Sequence, residues 1–332
     1  MPIKINLGQS NYLTPINAHE LAQIENDLFS RCVMCRDILD RETSTVEHIY
    51  PKWLQNEFNL WDKRLTLPNG SSIPYRQLTV PCCKECNGGI MADWEKRVQN
   101  AVEQGYDAFV QLEEEIIAWW IYKLYYTKLI KELSLKSDIR DPNSEMIFTD
   151  RLLKDYYPIY YYMCELIKGT KFSHPKPYEL YIYRTYQDHS FDYIDDIARH
   201  VVYIEMNDIL IVCALDSFGF FSVQYEKELQ SLNSMDKISS IQALELFVKI
   251  VYYRTHYKFD TGHGNIINNT RLIITSKIIN PQQIREFNLE ELYTMMVSLL
   301  HMRGYPGPIP EYKEKSMFSF ICGHECTSQY TE

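Results

Sequence analysis

Apolar and polar positions alternate along this chain in two rhythms, and the change from one to the other marks its organisation. Leu21, Ile24 and Leu28 recur at helical spacing and predict a short helix over Asn17–Phe29, begun near Thr14-Pro15. The same spacing returns from Ala92 to about Asp107. A helix over Leu112–Leu135 follows, opened by Glu113-Glu114-Glu115 at the positive end of its dipole. Its stretch Ile116–Tyr126 is apolar on more than one face, so it must be covered by the C-terminal region or by another subunit. Ser137–Ser144 has loop composition. Strand-like runs then appear at Tyr178–Tyr183, His200–Glu205, Ile209–Leu215 and Gly219–Tyr225, with Met206-Asn-Asp and Asp216-Ser-Phe-Gly as hairpin turns, which predicts an antiparallel meander. Helices over Ile241–Tyr257 and Pro281–Met302 flank a strand over Arg271–Ser276. The expected class is α+β, with a domain over residues 1–110 and a larger helix-rich one with an antiparallel sheet over 111–332.

Composition narrows this. A chain of 332 residues, 45% hydrophobic and 23% charged, has the balance of a folded protein and not of a disordered or coiled-coil one. No run reaches the ~18–20 apolar residues of a membrane span, since Ile116–Ile130 is broken by Lys123 and Lys128, so no membrane is expected. The first residues lack a basic start and apolar core, which argues against secretion and for a reducing cytoplasm. Tyrosine is abundant, at 26 residues, with clusters at Tyr156–Tyr162 and Tyr252–Tyr253. Such rings stack on bases of a single strand or fill cores, and the second use is the commoner.

The net charge of −10 opposes binding to a polyanion, but it is unevenly spread. Arg31–Arg97 holds ten Lys/Arg against nine Asp/Glu, and five of the nine cysteines lie there. Cys32-Val-Met-Cys35 and Cys83-Lys-Glu-Cys86 have the spacing by which two tight turns bring four thiolates to one tetrahedral zinc. Such a closed site holds a fold and does no catalysis. Cys82 and Cys86 form a wider alternative pair, but Cys82 better suits the end of the strand Gln77-Leu-Thr-Val-Pro, as a packed thiol. The 47 residues between Cys35 and Cys83 are too many for a plain zinc ribbon and must fold on their own. Cys322, His324 and Cys326 could bind a second metal, yet without another pair they read as ordinary residues.

Inside that insert stands Glu47-His48-Ile49-Tyr50-Pro51-Lys52-Trp53-Leu54, and after the second knuckle Asn87-Gly-Gly-Ile-Met-Ala-Asp-Trp94-Glu95. The order Cys-x-x-Cys, acid-His-Ile-x-Pro, Cys-x-x-Cys-Asn resembles the HNH endonuclease family over residues 30–100. The resemblance implies a ββα-metal finger held by a four-cysteine zinc from Cys32, Cys35, Cys83 and Cys86. It implies metal-dependent hydrolysis of DNA, with His48 as general base and Glu47 and Asn87 as ligands of a catalytic Mg²⁺ or Mn²⁺, leaving 5′-phosphate and 3′-hydroxyl ends. Many relatives carry Asp where this chain has Glu47. The family's middle Asn, which orients the base, has no clear counterpart; Asn69 is a candidate, although Asn-Gly-Ser-Ser is ordinary turn chemistry. Glu95, two helical turns beyond Asn87, either assists the metal or pairs with Lys96 or Arg97. Trp53 and Trp94 are expected in the core, and Lys52, Lys63, Arg64, Arg76, Lys84, Lys96 and Arg97 are candidate phosphate contacts. An acidic chain with few basic runs suggests an oligomer or a nuclease controlled by a protein partner, with phage defence as a conjectured setting. Two alternatives stay open: a non-catalytic zinc-binding interaction module, and an RNA-directed nuclease.

Overall fold

The computed structural model describes residues 30–141, 143–146, 156–186, 189–268, 271–305, 307 and 316–327. The helix expected over Asn17–Phe29 lies outside them. The chain forms two units, Met1–Gln99 with Glu114–Thr170, and Asn100–Glu113 with Lys171–Glu332. Both mix helix with antiparallel sheet, which makes the class α+β. Among the described residues no helix is long and apolar enough to cross a membrane.

The first unit is built on a two-stranded ribbon, β1 (Ser44–His48) against β4 (Thr79–Cys83), with Glu47 opposite Val80 and His48 opposite Thr79. Between them come α1 (Lys52–Glu57) and a small hairpin of β2 (Arg64–Thr66) and β3 (Ser72–Pro74). After β4 the chain turns into α2 (Lys84–Gly88) and then α3 (Ile90–Gln104), which runs on past the end of this unit. A pair of strands has too little surface to be stable alone, so the ribbon needs a backing. The helix α5 (Glu114–Leu133) supplies it, together with α6 (Tyr157–Ile167). Trp119, Trp120, Tyr122, Tyr125 and Tyr126 of α5 are buried on every side, as the unbroken apolar pattern demands. That requirement places α5 with the ribbon, on the far side of the boundary that the sequence puts near residue 110. Trp53 and Trp94 are half-buried and pack on Trp120 and Trp119, at ring-centroid distances of 6.3 and 5.4 Å. Tyr160 and Tyr162 are core residues, so the tyrosine cluster is structural here.

The second unit, which also contains the short α4 (Tyr106–Phe109), carries a four-stranded antiparallel sheet in the order β5 (Tyr178–Arg184), β8 (Ile209–Leu215), β7 (Val201–Met206), β6 (Phe191–Asp196). Every residue of β7 and β8 is buried, and α9 (Ser240–His256) packs over both. Two expectations are corrected here. The strand predicted over Gly219–Tyr225 is the helix α7 (Phe220–Gln224), followed by α8 (Glu226–Asn233). Asp216, Phe218 and Gly219 take φ of +55°, +53° and +79°, a left-handed run that ends extended chain. The buried Glu179 carboxylate then accepts the N–H groups of Phe221 and Ser222 at 3.1 and 2.6 Å, serving as a remote cap. The helix predicted from Pro281 starts instead at Leu289 (α10, Leu289–Met302), because Pro281–Gln283 complete a two-stranded ribbon of β9 (Tyr257–Asn268) and β10 (Arg271–Gln283). A last hairpin pairs β11 (Ser316–Ser319) with β12 (His324–Thr327).

One buried carboxylate ties that hairpin to α9. Glu245 accepts from Ser319 Oγ at 2.7 Å and from the N–H groups of Phe320 and Ile321 at 2.6 and 3.1 Å, and it pairs with Lys249 at 2.9 Å. Replacing Glu245 by Ala takes one carboxylate from buried Lys249 and removes the acceptor of the Phe320 and Ile321 amides. Denaturant unfolding should show a loss of about 3–5 kcal/mol.

Candidate metal centre and the Glu47–His48 site

Residues 32–35 form a turn that hangs on β4 through Val33 N–H to Pro81 O at 2.9 Å, with Arg36 N–H to Cys32 O closing it at 2.9 Å. Arg36 takes φ +63°, an unfavourable conformation for a side-chain-bearing residue. It is held by its guanidinium, which lies 4.1 Å over the Tyr160 ring and donates to Tyr126 Oη. Tyr160 Oη donates in turn to Met34 O at 2.7 Å. The second turn begins at Cys83, the N-cap of α2, whose sulfur accepts the Cys86 N–H at 3.3 Å.

These two turns bring the sulfurs of Cys32, Cys35, Cys83 and Cys86 within 4.8 Å of one another. Cys35 and Cys83 sulfurs are 3.8 Å apart. A tetrahedral zinc with bonds of ~2.3 Å requires sulfur separations of about 3.8 Å, so the cluster could hold such a metal once its wider separations close by up to about an ångström. The electrostatics agree. Contacts from the Cys35, Cys82 and Cys86 thiols pull the Cys32 pKa far down, whereas contact with Cys32 pushes Cys35 and Cys86 up. Thiolates packed this closely repel one another, and a divalent cation bound among them would relieve that repulsion. Cys82, fully buried, lies 3.7 Å from Cys32 Sγ. That contact, then burial, push its pKa up. The side chains of His324 and Cys326 lie outside the described residues.

The end of β1 gathers the other candidate residues. Strand alternation sends Glu47 and His48 to opposite faces. His48 is half-buried on the open face, its ring stacked at 6.1 Å on that of Trp61, which is 37% exposed. Burial and then the nearby Lys52 lower its pKa, so the imidazole is neutral near pH 7 and able to accept a proton. Asn87 donates its amide N–H to Val46 O at 3.0 Å, beside the same strand end. Among the described residues no hydrogen bond joins the side chains of Glu47, His48 and Asn87.

Glu47 turns inward, 6% exposed, and its Oε1 accepts from Lys123, a fully buried residue of α5. Lys123 donates also to Glu95 Oε1 at 2.7 Å and to the backbone oxygen of His48 at 3.1 Å. Burial opposes the ammonium, but the Glu47 and Glu95 carboxylates outweigh it and hold its pKa above the usual lysine range. Burial raises the Glu95 carboxyl against the pull of Lys123. Glu95 thus joins the site through Lys123 and not through Lys96 or Arg97. In the sequence Lys123 is visible only as a charge interrupting an apolar helix. That is a usable signal, because a lysine buried all round must have carboxylate partners.

Asn69 is a turn residue. Its Oδ1 accepts from Ser71 N–H and Oγ at 3.1 and 2.6 Å, and its Nδ2 donates to Lys136 O at 3.1 Å. Of the basic candidates, Lys52, Lys63, Arg64 and Lys84 are exposed, while Arg76 is paired with Asp62 and Lys96 bonds Gln99. No family model matches the chain, and no curated protein or solved structure matches it.

The sulfur cluster has a direct test. Elemental analysis of purified protein should find one zinc per chain, and Cys83→Ser should lose both that zinc and the folding transition of the first unit. Retention of a metal-free folded state under strong chelation would contradict the assignment.

Proposed function

We propose that the chain is a metal-dependent endonuclease of the HNH type, in which residues 30–100 act as a zinc-held ββα-metal finger. The observation that supports this reading is that one strand end carries the neutral imidazole of His48 on its open face and the Glu47 carboxylate on its inner face, with Asn87 bonded to Val46 of the same strand, next to a four-sulfur cluster at the ribbon. Oxygen donors suit a hard cation such as Mg²⁺ or Mn²⁺. Glu47 has Oε2 left for one, since Lys123 takes Oε1, and Asn87 has Oδ1, since its Nδ2 is engaged by Val46. A cation held there would supply Lewis-acid stabilisation of the charge that develops on the phosphate and the departing 3′ oxygen. His48 takes a proton from the attacking water, and Trp61 stacked on its ring restricts how the imidazole can turn. Exposed Lys52, Lys63, Arg64 and Lys84 hold phosphates on either side of the cut. The acidic charge of the whole chain favours action as an oligomer or with a protein partner, and a phage-defence role accords with a nuclease needing such control.

One observation favours a second reading. The bond from Lys123 to Glu47 is what a purely structural carboxylate would make, as expected of a zinc-bound interaction module without activity. A cleavage assay separates the two. Plasmid DNA with Mg²⁺ or Mn²⁺ should be cut, and His48→Ala should lower the rate by roughly 10²–10⁴-fold with zinc content unchanged. Equal cutting by His48→Ala removes the assigned base, and absence of cutting by the wild-type chain removes the nuclease. Parallel single-stranded DNA, duplex DNA and RNA substrates show which polymer it takes.

A further inference from the structure

The buried lysine has a role that the finger alone does not explain. Lys123 comes from α5, outside the ribbon, yet all three of its donors are used at the end of β1 and on Glu95. A buried ion cluster is a poor way to gain stability, since apolar side chains of the same volume often serve as well or better. The rest of α5 around it is apolar and buried, so an apolar residue at this position would continue the core. The charge is therefore kept for what it does to its neighbours. It fixes two things at once, the rotamer of Glu47, through Oε1, and the path of the backbone at His48, through the carbonyl oxygen. It also sets the charge: with both carboxylates ionised, Glu47, Glu95 and Lys123 together carry a single negative charge.

We propose that Lys123 is the positioning residue of the divalent-cation site, holding Glu47 to one-oxygen ligation and limiting the negative charge offered to the cation, with Glu95 as its counterweight. This deepens the nuclease reading and rests on it. Without Lys123, two carboxylates are free to close on a cation, which then binds more tightly but with Glu47 and His48 no longer held in place. Without the Glu95 charge, Lys123 faces Glu47 alone and the cation meets a neutral pair.

The two substitutions therefore move cation affinity in opposite directions, which a general loss of packing would not do. Mn²⁺ binding to the DNA-free full-length chain, followed by the electron paramagnetic resonance signal of the free ion, should tighten at least about tenfold in Lys123→Met and weaken by a similar factor in Glu95→Gln. Plasmid cleavage should show kcat falling in both with KM for DNA unchanged. Zinc content reports that the first unit is intact. Should Lys123→Met fail to fold, Glu95→Gln, which keeps the shape of the side chain, carries the test by itself. Mn²⁺ affinity unchanged in the folded variants, or moved in the same direction by both, overturns the assignment. A wild-type chain that neither binds Mn²⁺ nor cuts DNA overturns the nuclease reading first, and the role of Lys123 with it.

Discussion

Four sulfurs drawn together across a 47-residue insert set the geometry on which the first unit depends. The ribbon of β1 and β4 is only five residues long on each side, and a hairpin-sized pair does not hold its register unaided. Metal binding to such a cluster contributes on the order of 10 kcal/mol, more than the closure entropy of so long an insert costs. Because Cys83 both ends β4 and caps α2, the cluster also decides where Asn87 begins, one turn further on. The stacking of Arg36 on Tyr160 anchors the other turn to α6.

Around this anchor the protein uses one device twice. In each unit a buried lysine sits in the middle of a largely buried helix and answers two carboxylates. In the second unit Lys249 meets Glu228 and Glu245, and the outcome is mechanical, a hairpin tip bound to α9. In the first, Lys123 meets Glu47 and Glu95, and the outcome lies beside the imidazole and carboxamide of the candidate site. Both lysines are desolvated at considerable cost, which is offset by the carboxylates that surround each ammonium.

Where local pattern carries the information, the reading from sequence stands. The helices over 114–133 and 240–256 lie within two residues of their expected limits, and β8 matches residue for residue. Where it fails, the cause is visible. Residues 219–225 look like a strand but begin from a left-handed run and are capped by Glu179, forty residues earlier in the chain. The strand Phe191–Asp196 is absent from the sequence reading because it is half-buried along its whole length and shows neither clean alternation nor an apolar run.

The amino-acid order by itself determined the four-cysteine cluster, since Cys-x-x-Cys is a local turn and two such turns have few ways to share a metal. It also determined the α+β class. Tertiary structure alone decided that Trp61 lies on the imidazole and that Glu95 and Glu47 share Lys123. The physical reason is range. Periodicity and capping act over a few residues, whereas a buried charge is satisfied by whatever the fold brings within about 3 Å, here from 28 and 76 positions away.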